Sequence, residues 1–374
     1  MTGPAGLRVL MTADAVGGVW SYALDLAHGL GAHGVEVVLA MLGPPPSADQ
    51  EAAAAVLPGL RLLASPLPLD WLAEGPEAVE AAGHAVAHMA VEWGASLVHL
   101  NSPALAAGLR FPLPVVGVCH SCLATWWRTV RGGPMPAEFA WRSELVARGY
   151  AAVDALVAPT AAFAMATAEA HGLPGLPLTV HNGRRAMASA SGDVMAAFAF
   201  TAGRLWDEGK NLPVLDRAAA RLPVPVLAAG PVQGPNGARV QFRHLRALGR
   251  LSEAEIADWL RQRPVFVSAA RYEPFGLAVL EAAQAGCALV LSDIPTFREL
   301  WDGAAEFVPP EDDVAIAASI RRMLHDRERR MRFGVAARER ARRYSAGAMA
   351  ASVFEIYRRI LRDAGMPAGR EVAA

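Results

Sequence analysis

The chain has 374 residues, of which 53% are hydrophobic and 7% aromatic, and its net charge is −1. This length is enough for two domains. The near-neutral charge gives no indication of nucleic-acid binding, which would favour a clearly basic domain. The three cysteines, an odd and low number, imply no disulfide framework.

Strand-length apolar runs alternate with helical stretches through the first half of the chain. The first run, residues 7–11, leads into a glycine-rich turn and a helix over 20–34, and a second helix is expected around 76–93. Further strands are predicted at 35–42, 96–100, 114–119, 155–159 and 178–180. Such near-continuous apolar strands between helices indicate a buried parallel sheet with helices on both faces.

A polar, glycine-containing stretch at 181–193 interrupts this pattern, as a linker would. A second alternating series follows, with strands predicted at 197–203, 224–230, 239–243, 264–269, 287–293 and 305–309. The chain therefore contains two α/β domains, residues 1–183 and 184–345. A final segment, residues 346–374, holds a helix over 346–364.

The first loop of interest joins the opening strand to its helix, where Gly17 and Gly18 stand. Glycines let a backbone approach a ligand closely, and a helix N-terminus favours a phosphate. The loop matches neither Gly-x-Gly-x-x-Gly nor the Walker A pattern. A ligand contact and a plain tight turn both fit it.

The second loop follows the strand at 197–203 and contains Arg204 and Lys210. Lys210 is the single lysine among 35 lysines and arginines. Two cations at the carboxyl end of a parallel strand suit a diphosphate, since arginine offers a fork of donors and lysine a compact point charge. The alternative is that both cations pair with Asp207 and Glu208.

The third loop follows the strand at 264–269 and carries two acidic residues eight positions apart, Glu273 and Glu281. Glu273 precedes a helix, and Glu281 lies about one turn inside it. The backbone N–H groups of Phe275, Gly276 and Leu277 lack helical partners at such a start and can bind anionic oxygens. Alternatively, Glu273 only complements the helix dipole.

Three other features leave alternatives open. Cys119 and Cys122 have the Cys-x-x-Cys spacing, yet a zinc site needs a second pair, so two small residues at a strand end are favoured. Residues 124–136, with Trp126 and Trp127, form either a plain solvent loop or a platform for a sugar or anionic lipid. Residues 321–343 hold ten arginines and three acids, which fits a solvated helix face or a weak peripheral membrane contact.

At this point the third loop, "EPFGLAVLE", resembles the Glu-x7-Glu signature of the retaining glycosyltransferases of family 4. Four earlier features occur in the family's order. "GGVWSYALDLAHGLGAHGVEV" resembles its N-terminal Gly-Gly loop and helix, and "PVVGVCHS" its strand ending in histidine. "TVHNG" is similar to its interdomain segment, and "GRLWDEGKN" to its Gly-Arg…Glu-Lys loop.

The resemblance implies the α/β fold called GT-B. In this fold two Rossmann-like parallel-sheet domains face each other across a cleft, and a C-terminal helix crosses back to the N-terminal domain. Residues 1–183 with the returning segment 346–374 would be the acceptor-side domain. Residues 184–345 would bind the nucleotide-sugar donor.

The resemblance also implies roles for individual residues. Catalytic roles fall on Arg204, Lys210, Glu273 and His120. Donor-binding roles fall on Gly17, Gly18, Phe275, Gly276, Leu277 and Glu281. Among these, Arg204 and Lys210 would bind the diphosphate, Glu281 the ribose, and His120 would lie near the donor sugar and acceptor.

The chain departs from the family pattern in two places. Ser121 follows His120 where the family often has aspartate, and Arg184-Arg185 follow the Asn-Gly where it often has Val-Asp. Neither departure removes a phosphate or ribose contact. The donor side is therefore better defined than the acceptor side and the hinge.

The implied reaction transfers a hexose with retention from a nucleotide sugar to a hydroxyl of a glycan, a lipid-linked sugar or a small metabolite. UDP is the favoured donor nucleotide because it is the commonest in the family, although Glu281 suits GDP and ADP equally. No metal and no cofactor are expected, since the nucleotide sugar is a substrate. The alternatives are a sugar-nucleotide epimerase or hydrolase on the same fold and a non-catalytic two-domain sugar-binding protein.

The expected location is the cytoplasm. The first residues lack the charge and apolar core of a signal peptide. The apolar stretch at 151–170 is interrupted by Asp154, Pro159 and Glu169 and predicts no transmembrane helix. A peripheral position at the inner membrane face would follow if the acceptor is lipid-linked.

Overall fold

The computed structural model describes residues 6–186 and 195–366. It divides into two compact units. The first comprises Met1–Arg128, Gly133–Gly183 and Ala346–Ala374, and the second Thr129–Gly132 and Arg184–Ser345. The predicted linker at 181–193 lies outside the described residues from residue 187 onward.

The first unit is built on a seven-stranded sheet in the order β3-β2-β1-β4-β5-β6-β7, and every pairing is parallel. Its strands are β1 (Arg8–Asp14), β2 (Glu36–Leu42), β3 (Leu60–Ala64), β4 (Leu97–Leu100), β5 (Val115–Val118), β6 (Ala155–Ala158) and β7 (Leu178–Thr179). Val9 of β1 pairs with Val37 of β2 and Leu97 of β4. These central strands are buried on both faces, which is why their sequences read as continuous apolar runs.

Helices cover both faces of this sheet. They are α1 (Gly18–Gly31), α2 (Ala48–Ala55), α3 (Pro76–Glu92), α4 (Leu123–Val130), α5 (Ala137–Ala152), α6 (Ala161–His171) and, from the end of the chain, α13 (Ala346–Asp363). The last helix packs on α1 at Gly29, where a Cβ atom would lie 2.5 Å from the Cβ of Ala350 and 2.8 Å from the carbonyl oxygen of Ala346. Helix α13 is thus part of the first unit, as the resemblance implied.

The second unit contains a six-stranded parallel sheet in the order β10-β9-β8-β11-β12-β13. Its strands are β8 (Ala199–Ala202), β9 (Val226–Ala229), β10 (Arg246–Gly249), β11 (Val265–Ser268), β12 (Ala288–Ser292) and β13 (Ala305–Val308). Its helices are α7 (Leu212–Ala219), α8 (Glu253–Arg261), α9 (Leu277–Gln284), α10 (Pro295–Trp301), α11 (Asp313–His325) and α12 (Arg327–Ala341). The prediction of two parallel-sheet α/β units is confirmed.

The strand predicted at 239–243 is wrong. Residue Arg239 makes only an isolated antiparallel bridge with Gln233, and the backbone N–H of Val240 donates to the carbonyl of Val232 at 2.9 Å. The alternating pattern reflects a small hairpin closed through Gly237 (φ +81°), with Val240 and Phe242 packed against the core. The strand at this edge of the sheet is β10 instead.

A buried arginine ties α12 to the sheet of the second unit. Arg330 is 5% exposed, and its guanidinium donates to the carbonyl oxygens of Ala196 and Arg263, both at 2.6 Å. Burial lowers the pKa of Arg330 to about 10. Part of the arginine-rich run is therefore structural. Over residues 6–186 and 195–366, none of the helices is both long and apolar enough to cross a membrane.

Candidate active site

In the second unit, the predicted donor residues lie in the loops that follow β8 and β11. These two strands are neighbours in the sheet, so their carboxyl ends bring both loops to the same edge. Lys210 belongs to the first loop and Glu273 to the second. They are 63 positions apart in sequence, and strand order alone brings them together.

The loop after β8 forms a short 3₁₀ turn over Glu208–Lys210. The carboxylate of Asp207 accepts a hydrogen bond from the backbone N–H of Gly209 at 2.9 Å and so caps this turn. Asn211 ends the turn in the left-handed region (φ 56°), and its buried side chain donates to the carbonyl of Pro310 at 2.7 Å. Sequence reasoning gave Asn211 no role, although asparagine tolerates this conformation better than most residues.

Two backbone hydrogen bonds join the two loops. The carbonyl of Gly209 accepts hydrogen bonds from the backbone N–H groups of Arg271, at 2.9 Å, and Tyr272, at 3.2 Å. The next side chain along, Glu273, receives an ion-paired hydrogen bond from the ammonium group of Lys210. Both side chains keep a fifth or less of their surface exposed, at 20% and 16%. The structure therefore places two predicted catalytic residues in direct contact.

Arg204 lies at the rim of the same loop. One N–H of its guanidinium donates to Asp207 at 2.9 Å, and the group stands 5.6 Å from the ring centre of Trp206. The pairing with Asp207 that the sequence left open is present. Because a guanidinium has five N–H donors and its side chain here is 38% exposed, Arg204 retains donors for an anion.

Helix α9 begins at Leu277, directly after Gly276. Gly276 has φ +92°, and a Cβ atom there would lie 3.0 Å from the ring of Phe297 and 3.3 Å from Cγ of Glu273. Over the described residues, the backbone N–H groups of Phe275, Gly276 and Leu277 have no backbone acceptor. The carbonyl of Glu273 is held by the hydroxyl of Thr296 at 2.7 Å. The predicted row of N–H donors is thus held in place beside the Lys210–Glu273 pair.

Glu281 lies one turn inside α9 and faces an arginine that the sequence had marked only as a departure. The guanidinium of Arg184 is 2.9 Å from its carboxylate, and the two side chains are 9% and 15% exposed. Arg184 also lies 3.4 Å from Glu253, and its backbone N–H donates to the carbonyl of Tyr344 at 3.1 Å. The only sequence signal for this contact was an arginine where the family often has valine.

In the first unit, Gly17 and Gly18 form the start of α1 as predicted. Gly17 is the N-cap and supplies no side-chain cap, and Gly18 is exposed. Within the described residues, the N–H groups of these two glycines have no hydrogen-bond acceptor. An uncapped helix start of this kind can accept an anion. Asp14 accepts from the N–H of Val16 at 2.9 Å and shapes the turn.

His120 lies just beyond β5 and is half-buried. Its Nε2 atom is 2.7 Å from Oδ1 of Asn101, and its ring packs edge-on against Tyr22 with the ring centres 4.5 Å apart. Burial lowers the pKa of His120 to about 3. The ring is therefore neutral at physiological pH and can accept or donate a hydrogen bond but carries no charge.

The Cys-x-x-Cys pair follows β5, and both thiols are buried. Burial raises the pKa of Cys119 and of Cys122, which disfavours the thiolate that redox chemistry requires. Sγ of Cys122 lies 3.2 Å from Nε2 of His171 and 3.1 Å from the hydroxyl of Thr125. Over the described ranges, no group of three or more His, Cys, Asp or Glu side chains is arranged to hold a metal ion.

The aromatic residues of the predicted acceptor loop lie on α4 and α5. The ring centre of Trp127 lies 6.3 Å from that of Trp126 and 5.8 Å from that of Phe139. Both tryptophans are half-buried, and Arg128 pairs with Glu169 at 2.6 Å. The predicted loop at 124–136 is therefore helical as far as Val130, and its two tryptophans form with Phe139 a partly exposed aromatic cluster, a surface that suits a sugar ring.

Models of known protein families match both the first and the second part of the chain. A model described as Glycosyltransferase Family 4 matches residues 16–184, and one described as Glycosyl transferases group 1 matches residues 196–340. A curated relative is the phosphatidyl-myo-inositol mannosyltransferase of Mycolicibacterium smegmatis. It is 35% identical over 117 residues, which is 30% of this chain and 30% of the relative. The alignments with the first curated relatives thus span less than a third of their length.

Solved structures resemble the whole chain. Sucrose-phosphate synthase from Thermosynechococcus elongatus superposes with a TM-score of 0.78 at 17% identity, covering 96% of this chain and all of that one. Anabaena HepE in complex with UDP-glucose gives a TM-score of 0.72 at 16% identity, covering 94% of this chain and 99% of that one. At these identities the likeness shows the fold alone.

Proposed function

The chain belongs to the glycosyltransferases, and we propose that it transfers a hexose from a nucleotide sugar to a hydroxyl acceptor with retention. The observation that carries the proposal is the contact between Lys210 and Glu273 beside the free N–H row that starts α9. Close to the bond that breaks, a nucleotide sugar presents diphosphate oxygens and sugar hydroxyls, and charge develops on the diphosphate as it leaves. The cation and the backbone N–H donors suit the diphosphate oxygens and this charge, and the carboxylate suits the sugar hydroxyls.

Lys210 and Glu273 neutralise each other in the described conformation. We infer that a bound donor separates this pair. The ammonium of Lys210 then binds a diphosphate oxygen, and the carboxylate of Glu273 accepts hydrogen bonds from sugar hydroxyls. Arg204 adds a second cation for the diphosphate, and the N–H groups of Phe275 to Leu277 add dipoles. Gly17 and Gly18 are proposed to contribute N–H donors to the phosphates.

The proposed chemistry needs little from the protein beyond position and charge. The bond between the anomeric carbon and the diphosphate oxygen breaks, and a bond from that carbon to the acceptor oxygen forms on the same face. The proton of the acceptor hydroxyl passes to the departing diphosphate. Arg204 and Lys210 stabilise the charge on that leaving group, so no metal ion and no cofactor are required.

The donor base is proposed to be uracil. Glu281 is suited to the ribose hydroxyls, and Arg184 holds its carboxylate in place. The support for UDP is the solved HepE complex, which contains UDP-glucose. For the acceptor, the name of the mannosyltransferase relative supports a hydroxyl on a lipid-linked polyol or sugar, and the aromatic cluster at Trp126 and Trp127 suits such a ring. We place the protein in the cytoplasm, with a peripheral membrane contact if the acceptor is lipid-linked.

The first experiment is a thermal-shift panel in EDTA with UDP, GDP, ADP and their glucose, galactose and mannose conjugates. A ligand at 100 times its Kd adds about 2.7 kcal/mol to the stability. One nucleotide series should stabilise the protein, and Lys210→Ala and Glu281→Ala should abolish the shift. Arg321→Ala, an exposed cation on α11, is the matched control and should leave it unchanged.

Product analysis then separates transfer from its rivals. Incubation with the stabilising nucleotide sugar and an acceptor panel should give a glycoside with the donor's anomeric configuration. Free nucleotide released without any acceptor would indicate an epimerase or hydrolase. Stabilisation with no turnover on any acceptor would favour a binding protein, and no stabilisation by any nucleotide, with or without Mg²⁺, would contradict the proposal.

A further inference from the structure

A chain of buried polar contacts leads to His120 from two directions. It begins with Asn101, which follows β4 next to the end of β1. The backbone N–H of Asn101 donates to the hydroxyl of Thr12 at 3.0 Å, and its side-chain amide donates to the carbonyl of Thr12 at 2.7 Å. Thr12 is completely buried. These two bonds fix which way the amide of Asn101 points.

The orientation of that amide decides where His120 carries its hydrogen. Because the NH₂ group of Asn101 is used on Thr12, its Oδ1 atom is the one that lies 2.7 Å from Nε2 of His120. A carbonyl oxygen can only accept, so Nε2 must donate. In a neutral imidazole the other nitrogen, Nδ1, then carries a lone pair and can accept from a hydroxyl.

A second series of contacts reaches the His120 ring through another histidine. Tyr22 packs edge-on against His120, and its hydroxyl is 3.5 Å from Nε2 of His99. Nδ1 of His99 lies 2.7 Å from the hydroxyl of Tyr357. His99 and Tyr357 are completely buried, and Tyr22 is 2% exposed.

The far end of this brace comes from a distant part of the sequence. Tyr357 lies on α13 and His99 on β4, 258 positions earlier. Both ring nitrogens of His99 thus face tyrosine hydroxyls that belong to two packed helices, α1 and α13. Because Tyr357, His99 and Tyr22 are buried and in contact in series, a change at Tyr357 should reach the ring of His120.

We propose that Asn101 and Tyr357 are positioning residues for His120, with Asn101 fixing the Nε2–H tautomer and Tyr357 holding the ring through His99 and Tyr22. His120 then presents Nδ1 as an acceptor to a sugar hydroxyl. The inference rests on the proposed function, because it takes His120 as a group that faces the sugar. Neither Asn101 nor Tyr357 lies in the sequence segments that resemble the family's motifs.

The tautomer can be tested without any activity. We would record the two nitrogen resonances of the His120 ring by NMR in the full chain, assigned by their loss in His120→Gln. Nε2 should show the shift of a protonated nitrogen and Nδ1 that of a lone-pair nitrogen. Asn101→Leu should move both toward the average of the two forms. A proton on Nδ1 in the wild-type protein would overturn the assignment.

The remote brace is tested by a double-mutant cycle on transfer. Tyr357→Phe removes one hydroxyl and should lower kcat about three- to tenfold, a coupling typical of one network, with the donor KM unchanged. In a His120→Ala background the same change should have no further effect on kcat. Ser352→Ala removes a hydroxyl on the same helix that donates to the carbonyl oxygen of Ala348, and should change neither constant.

The outcomes separate this inference from the proposed function. If Tyr357→Phe costs the same factor with and without His120, its role is merely structural and the positioning inference fails while transfer stands. If the wild-type protein binds no nucleotide, the proposed function fails, and the NMR result still decides the tautomer. Should Tyr357→Phe not fold, Tyr22→Phe breaks the same chain one step nearer to His120 and takes its place in the cycle.

Discussion

The predicted site residues of the two units are organised in opposite ways. In the second unit the groups are charged and largely buried, and ion pairs hold them: Lys210 to Glu273 between two loops, and Arg184 to Glu281 on α9. In the first unit His120 is neutral and half-buried, and hydrogen bonds join it to Asn101 and, through Asn101, to the completely buried Thr12.

This difference indicates a division of labour. Because a largely buried charge needs a partner, an ion-paired side chain can exchange its partner for a charged group of a ligand, so the second-unit groups are suited to meeting the charged part of a ligand. Buried neutral networks are rigid because each unsatisfied group is expensive, so His120 is suited to fixed geometry. Substitutions in the second unit should therefore change ligand binding and charge stabilisation, and those around His120 should change alignment.

The sharpest test of the charged side is Lys210→Ala. It should lower kcat/KM by about 100- to 1,000-fold, the loss expected when one preorganised donor to developing charge is removed. Lys210→Arg should not restore the rate, because a planar fork cannot replace a compact ammonium between Glu273 and a phosphate. Steady-state kinetics with the stabilising nucleotide sugar measures both variants. A Lys210→Ala enzyme within threefold of wild type would contradict the role.

Gly276→Ala tests whether the N–H row requires its backbone. It should destabilise the protein by about 1–3 kcal/mol, because alanine is strained at φ +92°. It should also weaken nucleotide binding, since its Cβ would press on the ring of Phe297 and on Glu273.

Gly237→Ala is the matched control. Gly237 has φ +81° with nothing within 4 Å of a Cβ atom, so the control isolates strain from contact. Denaturant melts and nucleotide titrations of both variants would give the comparison, and equal effects would argue against a specific contact.

Arg184→Gln tests the pair at the proposed ribose site. The Glu281 carboxylate would lose a partner at 2.9 Å, so we expect roughly tenfold weaker UDP binding, about 1.4 kcal/mol. Binding of inorganic pyrophosphate should be unchanged, since it has no ribose. Isothermal titration with the two ligands distinguishes the effects. Equal weakening of both would place Arg184 at the phosphates instead.

The smallest expected effect is the pH response of the neutral side. The pKa of His120 in the folded protein is about 3, below its ordinary 6.5. The unfolded chain therefore binds more protons between these values. The stability contributed by neutral His120 is complete above pH 6.5 and is lost as the pH falls toward 3. Between pH 7 and 5.5 we expect a loss of about 1 kcal/mol that His120→Gln removes. Urea unfolding of the wild type and of His120→Gln across this pH range measures the difference.

Sequence reasoning reached the loops but not the contacts between them. Gly17, Lys210 and Glu273 could be found because each follows an apolar strand, and strand ends have a clear pattern. The Lys210–Glu273 contact depends on β8 lying beside β11, and the brace on His120 joins residues 258 apart. No local pattern encodes such pairings. The strand at 239–243 was mispredicted because a packed hairpin shows the same alternation of apolar and polar residues as a strand.

The close packing of α13 on α1 at Gly29 has a consequence for biosynthesis. The first unit needs residues 346–363, yet its own sheet is finished by residue 183. At translation rates of about 5–20 residues per second, the ribosome reaches the end of α13 on the order of 10–40 s after completing that sheet. During this interval the first unit exposes the apolar side of α1. The second unit can fold as soon as Ser345 has been synthesised, before α13 is complete. The half of the protein made first is therefore the half completed last.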